Sequence, residues 1–202
     1  MTRKLYFSTI AAAATYAVLA GCSASRPIAA APAGTPSEAD SVSTALATDK
    51  SPADSFSWLV ADSAARTVTL DLEVTAPAGA GSAVINGHRS GELRIIVPVG
   101  WTVRWNWRSS DASAPHSLVV MVQREKIPLE GGRPSFSNAM TRMVTEGLRA
   151  GEADQSTFVA EEAGWYWMMC GVPSHGLQGE WLELRVDPEA RTAAAQVRKP
   201  SR

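Results

Sequence analysis

The sequence predicts an all-β protein, a Greek-key β-sandwich of about seven or eight strands formed by residues 56–187. Three observations predict it. Short runs alternate apolar and polar residues with a period of two, the pattern of half-buried strands. Gly and Pro separate those runs at short intervals. The runs follow one another across about one domain's length, as in antiparallel sandwiches.

Residues 66–74 place Val68, Leu70, Leu72 and Val74 on one face, and residues 93–97 form the next apolar run. Residues 101–107 set Trp101, Val103, Trp105 and Trp107 against Thr102, Arg104 and Asn106. Further strands are expected at 117–122, 157–160, 165–169 and 181–186. Breaks fall at 76–81, 98–100, Pro115, 131–134, Gly164 and 171–179. The polar stretch 130–153 is long for a plain connection, so it reads as a functional or covering loop with one helical turn around 138–144.

A chain of 202 residues allows one such domain plus tails. The formal net charge of -1 gives no basis for nucleic-acid binding, which calls for a basic patch. Seven Trp against four Phe point to an aromatic core or an aromatic contact surface. Two Cys and three His limit any metal site to a small one. They exclude multicopper oxidases and two-copper nitrite reductases, which need more imidazoles.

The first residues read as an address. Arg3 and Lys4 precede a short apolar stretch, 10–20, too short to cross a hydrocarbon layer of roughly 30 Å as a helix. Leu19-Ala20-Gly21-Cys22 resembles the bacterial lipobox, which implies a signal peptide at 1–21 and lipid attachment at Cys22. Multiple acyl chains anchor stably where one would be marginal. Secretion across the inner membrane, with an anchor on the periplasmic face of a membrane or the cell surface, is the expected localisation. Ser23 carries no retention signal, so the outer membrane is expected where the host has two. Residues 22–55, rich in Ala, Pro, Ser and Thr, have too little large apolar surface to offset ordering entropy and read as a flexible tether. Residues 188–202 read as a disordered tail.

The chemistry lies in Cys170, His175 and Glu180, with Pro115-His116-Ser117-Leu118 far upstream. One thiolate and two imidazoles with a weak axial donor make the ligand set of blue copper. The two-residue period puts His116 on the face of Leu118 and Val120, Cys170 with Met168 and Tyr166, and Glu180 with Leu182, Leu184 and Val186. A carboxylate facing a core needs a partner, and a metal ion is one. His88 reads as a surface residue, whereas Met140 and Met143 are possible axial donors from the long loop. The chain has no Ser/His/Asp arrangement, phosphate-binding Gly loop or CxxC, and an enzyme ranks last among the readings.

Over about residues 82–186 the chain resembles sulfocyanin and, more distantly, rusticyanin, small cupredoxins that carry electrons. The resemblance rests on Gly91-Glu92-Leu93-Arg94-Ile95-Ile96-Val97-Pro98-Val99-Gly100-Trp101, on Pro115-His116-Ser117-Leu118 and on the 164–181 block. It implies one copper, Cu(II)/Cu(I), with His116, Cys170 and His175 as equatorial ligands, and Ser117 tying the ligand loops together. The family usually carries Met at the axial place, where this chain has Glu180. The implied function is electron transfer with redox partners of the cell envelope, by a monomer held at a membrane through its lipid. The competing reading is a copper-handling lipoprotein that binds or delivers the metal. The lack of a Met-x-Met or His-rich run speaks against it.

Overall fold

Period-two alternation becomes ten strands in the computed structural model, which describes residues 56–198. The expected signal peptide, Cys22 and the tether through residue 55 lie outside the described residues. The strands are β1 (Leu59–Asp62), β2 (Thr67–Thr75), β3 (Val84–Ile85), β4 (Leu93–Pro98), β5 (Thr102–Ser109), β6 (Val119–Val122), β7 (Ala153–Val159), β8 (Gly164–Met169), β9 (Trp181–Asp187) and β10 (Ala194–Val197). One sheet runs β1-β2-β5-β7 with β3 added to β2, and the other runs β10-β4-β9-β8-β6.

Alternating side chains from both sheets fill the space between them. Val68, Leu70, Leu72 and Val74 of β2 meet Val103, Trp105 and Trp107 of β5 on one side. Leu93, Ile95 and Val97 of β4, with Leu182, Leu184 and Val186 of β9, supply the other side. β8 is buried on both faces, because Trp167 and Met169 point outward beneath Met121, Ile127, Val144 and Trp181. Trp101, Trp105, Trp107 and Trp167 are all buried, so the aromatic excess serves the interior. Trp165 instead packs against the guanidinium groups of Arg94 and Arg185, 4.5 and 4.4 Å from its ring centre.

The fold class is the expected all-β sandwich, with four corrections. It has ten strands rather than seven or eight, the extra ones being the short β1, β3 and β10. The sheets are mixed, since β2 lies parallel to β5 and β4 parallel to β9, while the remaining pairs are antiparallel. No helix occurs among the described residues; the turn expected around 138–144 is irregular chain, with Asn138 and Met143 at positive φ. The tail from residue 188 is also not disordered throughout. β10 pairs with β4, Ala195 opposite Ile95, and its buried Ala193 and Ala195 extend the core. Arg198, beyond it, pairs with Glu183 and donates its backbone N–H to the Glu92 carbonyl at 2.6 Å.

Candidate metal centre

Three chain segments meet at one end of the sandwich, each held by its own backbone bonds. Cys170 follows β8 directly, and the loop it opens is closed where its N–H donates to the Glu180 carbonyl at 3.0 Å. Within that loop His175 N–H reaches the Val172 carbonyl at 3.2 Å, and Glu180 N–H reaches the His175 carbonyl at 3.1 Å. Glu180 therefore enters β9 already oriented by the histidine. His116 comes from the segment after β5 and exchanges backbone bonds of 2.9 and 2.7 Å with Leu148. The 130–153 loop is thus a covering element, as read from its length. Gly147 permits this close approach: a Cβ there would lie 2.8 Å from the His116 backbone nitrogen, and its φ of +76 lies in the left-handed region that favours glycine.

Ser117 joins all three segments. Its hydroxyl donates to the Val144 carbonyl at 2.6 Å and accepts the Gly171 N–H at 2.9 Å, while its own N–H points to Cys170 Sγ at 3.4 Å. These bonds link the His116 segment to the 130–153 loop and to the Cys170 loop.

His116, Cys170, His175 and Glu180 each offer one donor atom, and these atoms lie within 4.8 Å of one another. His116 Nδ1 is 2.8 and 2.9 Å from the two Glu180 oxygens. His175 Nδ1 is 3.2 Å from Glu180 Oε2 and 3.5 Å from Cys170 Sγ. His116, Cys170 and Glu180 are buried, and the His175 side chain keeps 18% of its surface exposed. With both Nδ1 atoms turned inward, the far edge of the His175 ring is the part left to solvent. Beside the cluster lies an open cavity of about 250 Å³, lined by Asp111, His116, His175, Gln178 and Glu180 among others.

Electrostatics set this cluster apart from an ordinary buried ion pair. Glu183, also buried, is met by Arg94 at 3.2 Å and by Arg198. Among the described residues Glu180 has no Lys or Arg partner, only the two imidazoles. Burial opposes the charged form of His116, yet acceptors on Cys170, Glu180 and Asp111 push its pKa up to about 10. His175 is raised to about 9, first by Cys170 and then by Glu180, against burial. Burial works to raise the Glu180 pKa, but the bonds to His116 and His175 prevail and lower it. Without a metal, protons on the imidazoles supply the positive charge the carboxylate needs. A cation among the same atoms would do so instead.

One member of the site was not legible in the sequence. Asp111 is buried, with Oδ2 2.8 Å from His116 Nε2, on the side of the ring away from Glu180. Its only sequence signal is Asp111-Ala112-Ser113, an Asx-turn pattern that says nothing about a histidine. The remaining candidates lie apart. His88 belongs to the turn that bridges back to Ile85, outside the cluster. Met140 and Met143 are 42% and 54% exposed, so neither is an inward-facing axial donor.

Two facing sheets, with a Cys–His–His–Glu cluster where the loops of one end converge, define a cupredoxin. The chain belongs to the sulfocyanin family: residues 55–195 match the sulfocyanin (SoxE) domain. Sulfocyanin from Sulfolobus acidocaldarius is 28% identical over 126 residues, covering 59% of this chain and 63% of that protein. The match thus spans less than two thirds of that relative's length. Reduced rusticyanin aligns at 16% identity with a TM-score of 0.42, over 60% of this chain and 85% of its own. Dithionite-reduced auracyanin from Roseiflexus castenholzii aligns at 20% identity with a TM-score of 0.41, over 58% and 97%.

Cupredoxins bind copper, and the donor set of this chain fits one ion. Bonds of roughly 2.0–2.3 Å to nitrogen and sulfur confine donors to within about 4–4.6 Å of each other, close to the spread found here. Thiolate and imidazole suit copper, and the carboxylate adds a harder oxygen donor.

Proposed function

We propose that this chain is a one-copper electron-transfer protein whose ion would be held by His116, Cys170 and His175, with Glu180 as a fourth donor. The observation that carries the reading is the convergence of four donor atoms within 4.8 Å, three of their residues buried. Copper bound there would supply a Cu(II)/Cu(I) couple for one-electron exchange. The protein's part is to hold the donors still. Ser117 ties the His116 segment to the Cys170 loop and the 130–153 loop. Backbone bonds fix His175 and Glu180 within one turn of each other. A ligand frame held this firmly resists rearrangement when the charge of the centre changes, which favours rapid exchange. The exposed edge of His175 is the natural point of electron entry and exit, facing redox partners of the cell envelope.

The same reading makes the protein a carrier and not an enzyme, acting as a monomer. It is exported and lipid-anchored at Cys22 on the periplasmic face of a membrane or the cell surface. Arg3 and Lys4, the short apolar stretch 10–20 and the lipobox-like Leu19-Ala20-Gly21-Cys22 support that location. A copper-delivery role is disfavoured by the burial of His116, Cys170 and Glu180, because an exchangeable cargo site needs exposed donors.

The test is the optical spectrum of copper-loaded protein with metal analysis, since zinc accepts the same donors. An intense thiolate-to-copper band at one copper per chain is expected, and Cys170→Ser should abolish the band while leaving a folded β protein. An intense band surviving in that variant would refute the ligand assignment.

A further inference from the structure

His116 is held from both sides, and only one side is accounted for by the ligand set. Nδ1 faces Glu180, Cys170 and His175, whereas Nε2 lies 2.8 Å from Asp111 Oδ2. Asp111 is itself clamped through its other oxygen: Oδ1 accepts the Ser113 N–H at 2.7 Å and the Ser113 hydroxyl at 2.6 Å. The carboxylate and the ring it touches are both nearly free of solvent, with side-chain exposures of 5% and 2%. A neutral imidazole carries one N–H, and the bond made by one nitrogen decides the state of the other. With Asp111 accepting from Nε2, the proton is kept there and the Nδ1 lone pair is left facing the cluster.

We infer that Asp111 is a positioning residue for the metal centre: it fixes the tautomer and plane of His116 and adds a buried negative charge behind the ring. This rests on the copper reading given above. Two consequences follow from the geometry. A hydrogen-bonded carboxylate makes a ligating imidazole more basic, and loss of such partners typically costs about 10–100-fold in metal affinity. The extra negative charge also favours Cu(II) over Cu(I), because it is repaid more by the more highly charged ion. The Asp111 and Ser113 positions lie in the short connection after β5, so the preference is built into the loop that delivers His116 and is independent of Glu180.

The experiment compares full-length wild type with Asp111→Asn and Asp111→Ala. Three quantities are read: copper affinity by chelator competition, reduction potential, and solvent exchange of the His116 Nε2 proton by 15N-resolved NMR of the Cu(I) form. Asp111→Ala should weaken copper binding 10–100-fold and speed Nε2–H exchange at least tenfold, relative to wild type. Asn keeps an accepting oxygen without the charge. It should preserve most of the proton protection while reducing the preference for Cu(II) about tenfold, a rise of about 59 mV in a one-electron potential. Both variants retaining wild-type affinity, exchange rate and potential would overturn the inference. Thermal unfolding of each metal-free variant separates loss of fold from loss of positioning, and Asn is the conservative variant should Ala fail to fold. The Nε2–H lifetime is also measured in metal-free wild type and variants. A wild type without a thiolate-to-copper band defeats the copper reading, while an Nε2 proton indifferent to residue 111 defeats this one.

Discussion

Glu180→Met replaces a buried, charged, hard oxygen donor with a neutral, soft thioether, and the structure sets the scale of the effect. The carboxylate oxygens lie 2.8–3.2 Å from the imidazole nitrogens that converge on the cluster, so the anion acts over about 3 Å. Cu(II) and Cu(I) differ by one unit of charge. At an effective dielectric of about 20–80, a carboxylate at about 3 Å favours the more highly charged ion by about 1.4–5.5 kcal/mol. That is one to four decades of Cu(II) preference, or about 60–240 mV at about 59 mV per decade. The variant's potential should therefore rise by an amount in this range, and its thiolate-to-copper band should intensify towards blue. An anaerobic redox titration of wild type, Glu180→Met and Glu180→Gln measures it, the Gln variant removing charge while keeping an oxygen donor. If all three potentials agree within about 20 mV, far below one decade, the carboxylate does not act on the metal and the argument from its buried, imidazole-only environment is wrong.

Three further outcomes are expected. Both histidines have folded pKa values above their ordinary 6.5, about 10 for His116 and about 9 for His175, so they stabilise the metal-free protein fully below pH 6.5 and lose that contribution as pH rises through 9 and 10. Urea unfolding of metal-free protein at pH 6, 8 and 10 tests this, and copper binding should tighten over the same interval because the Nδ1 protons must leave. Ending the chain after Asp187 removes β10 and the Arg198–Glu183 pair, and at about 1 kcal/mol per lost ladder bond should cost about 2–4 kcal/mol. An unchanged urea midpoint would show that β10 contributes nothing. Cys22→Ala should abolish lipid attachment and release the protein from membranes; wild type cleaved elsewhere and washing off as a soluble form would refute the anchor.

Much of the architecture was legible because it depends on local periodicity. Alternation in 66–74 and 101–107 became β2 and β5 with the expected residues inward, since a strand's two faces are decided by its own sequence. The convergence of His116, Cys170, His175 and Glu180 was legible for a related reason: the donor types are chemically distinctive, and His116, Cys170 and Glu180 occupy core-facing parities while His175 lies in the loop between the last two.

The tertiary structure decided what local pattern does not encode. Parallel pairing of β2 with β5 and of β4 with β9 depends on how the chain crosses between sheets, and an alternating strand reads the same in either direction. β10 was missed because Ala194–Val197 is short and weakly apolar, and becomes a strand only when the open edge of β4 offers it a ladder. The helical turn around 138–144 yields to a loop whose backbone bonds go to the His116 segment and β6. Asp111 shows the limit most clearly: an aspartate in a turn is usually solvated, and only the packing of that turn against His116 makes it a buried partner of the metal centre. Which donors a chain possesses is a property of its sequence; which second partner each donor meets is a property of distance in the folded state.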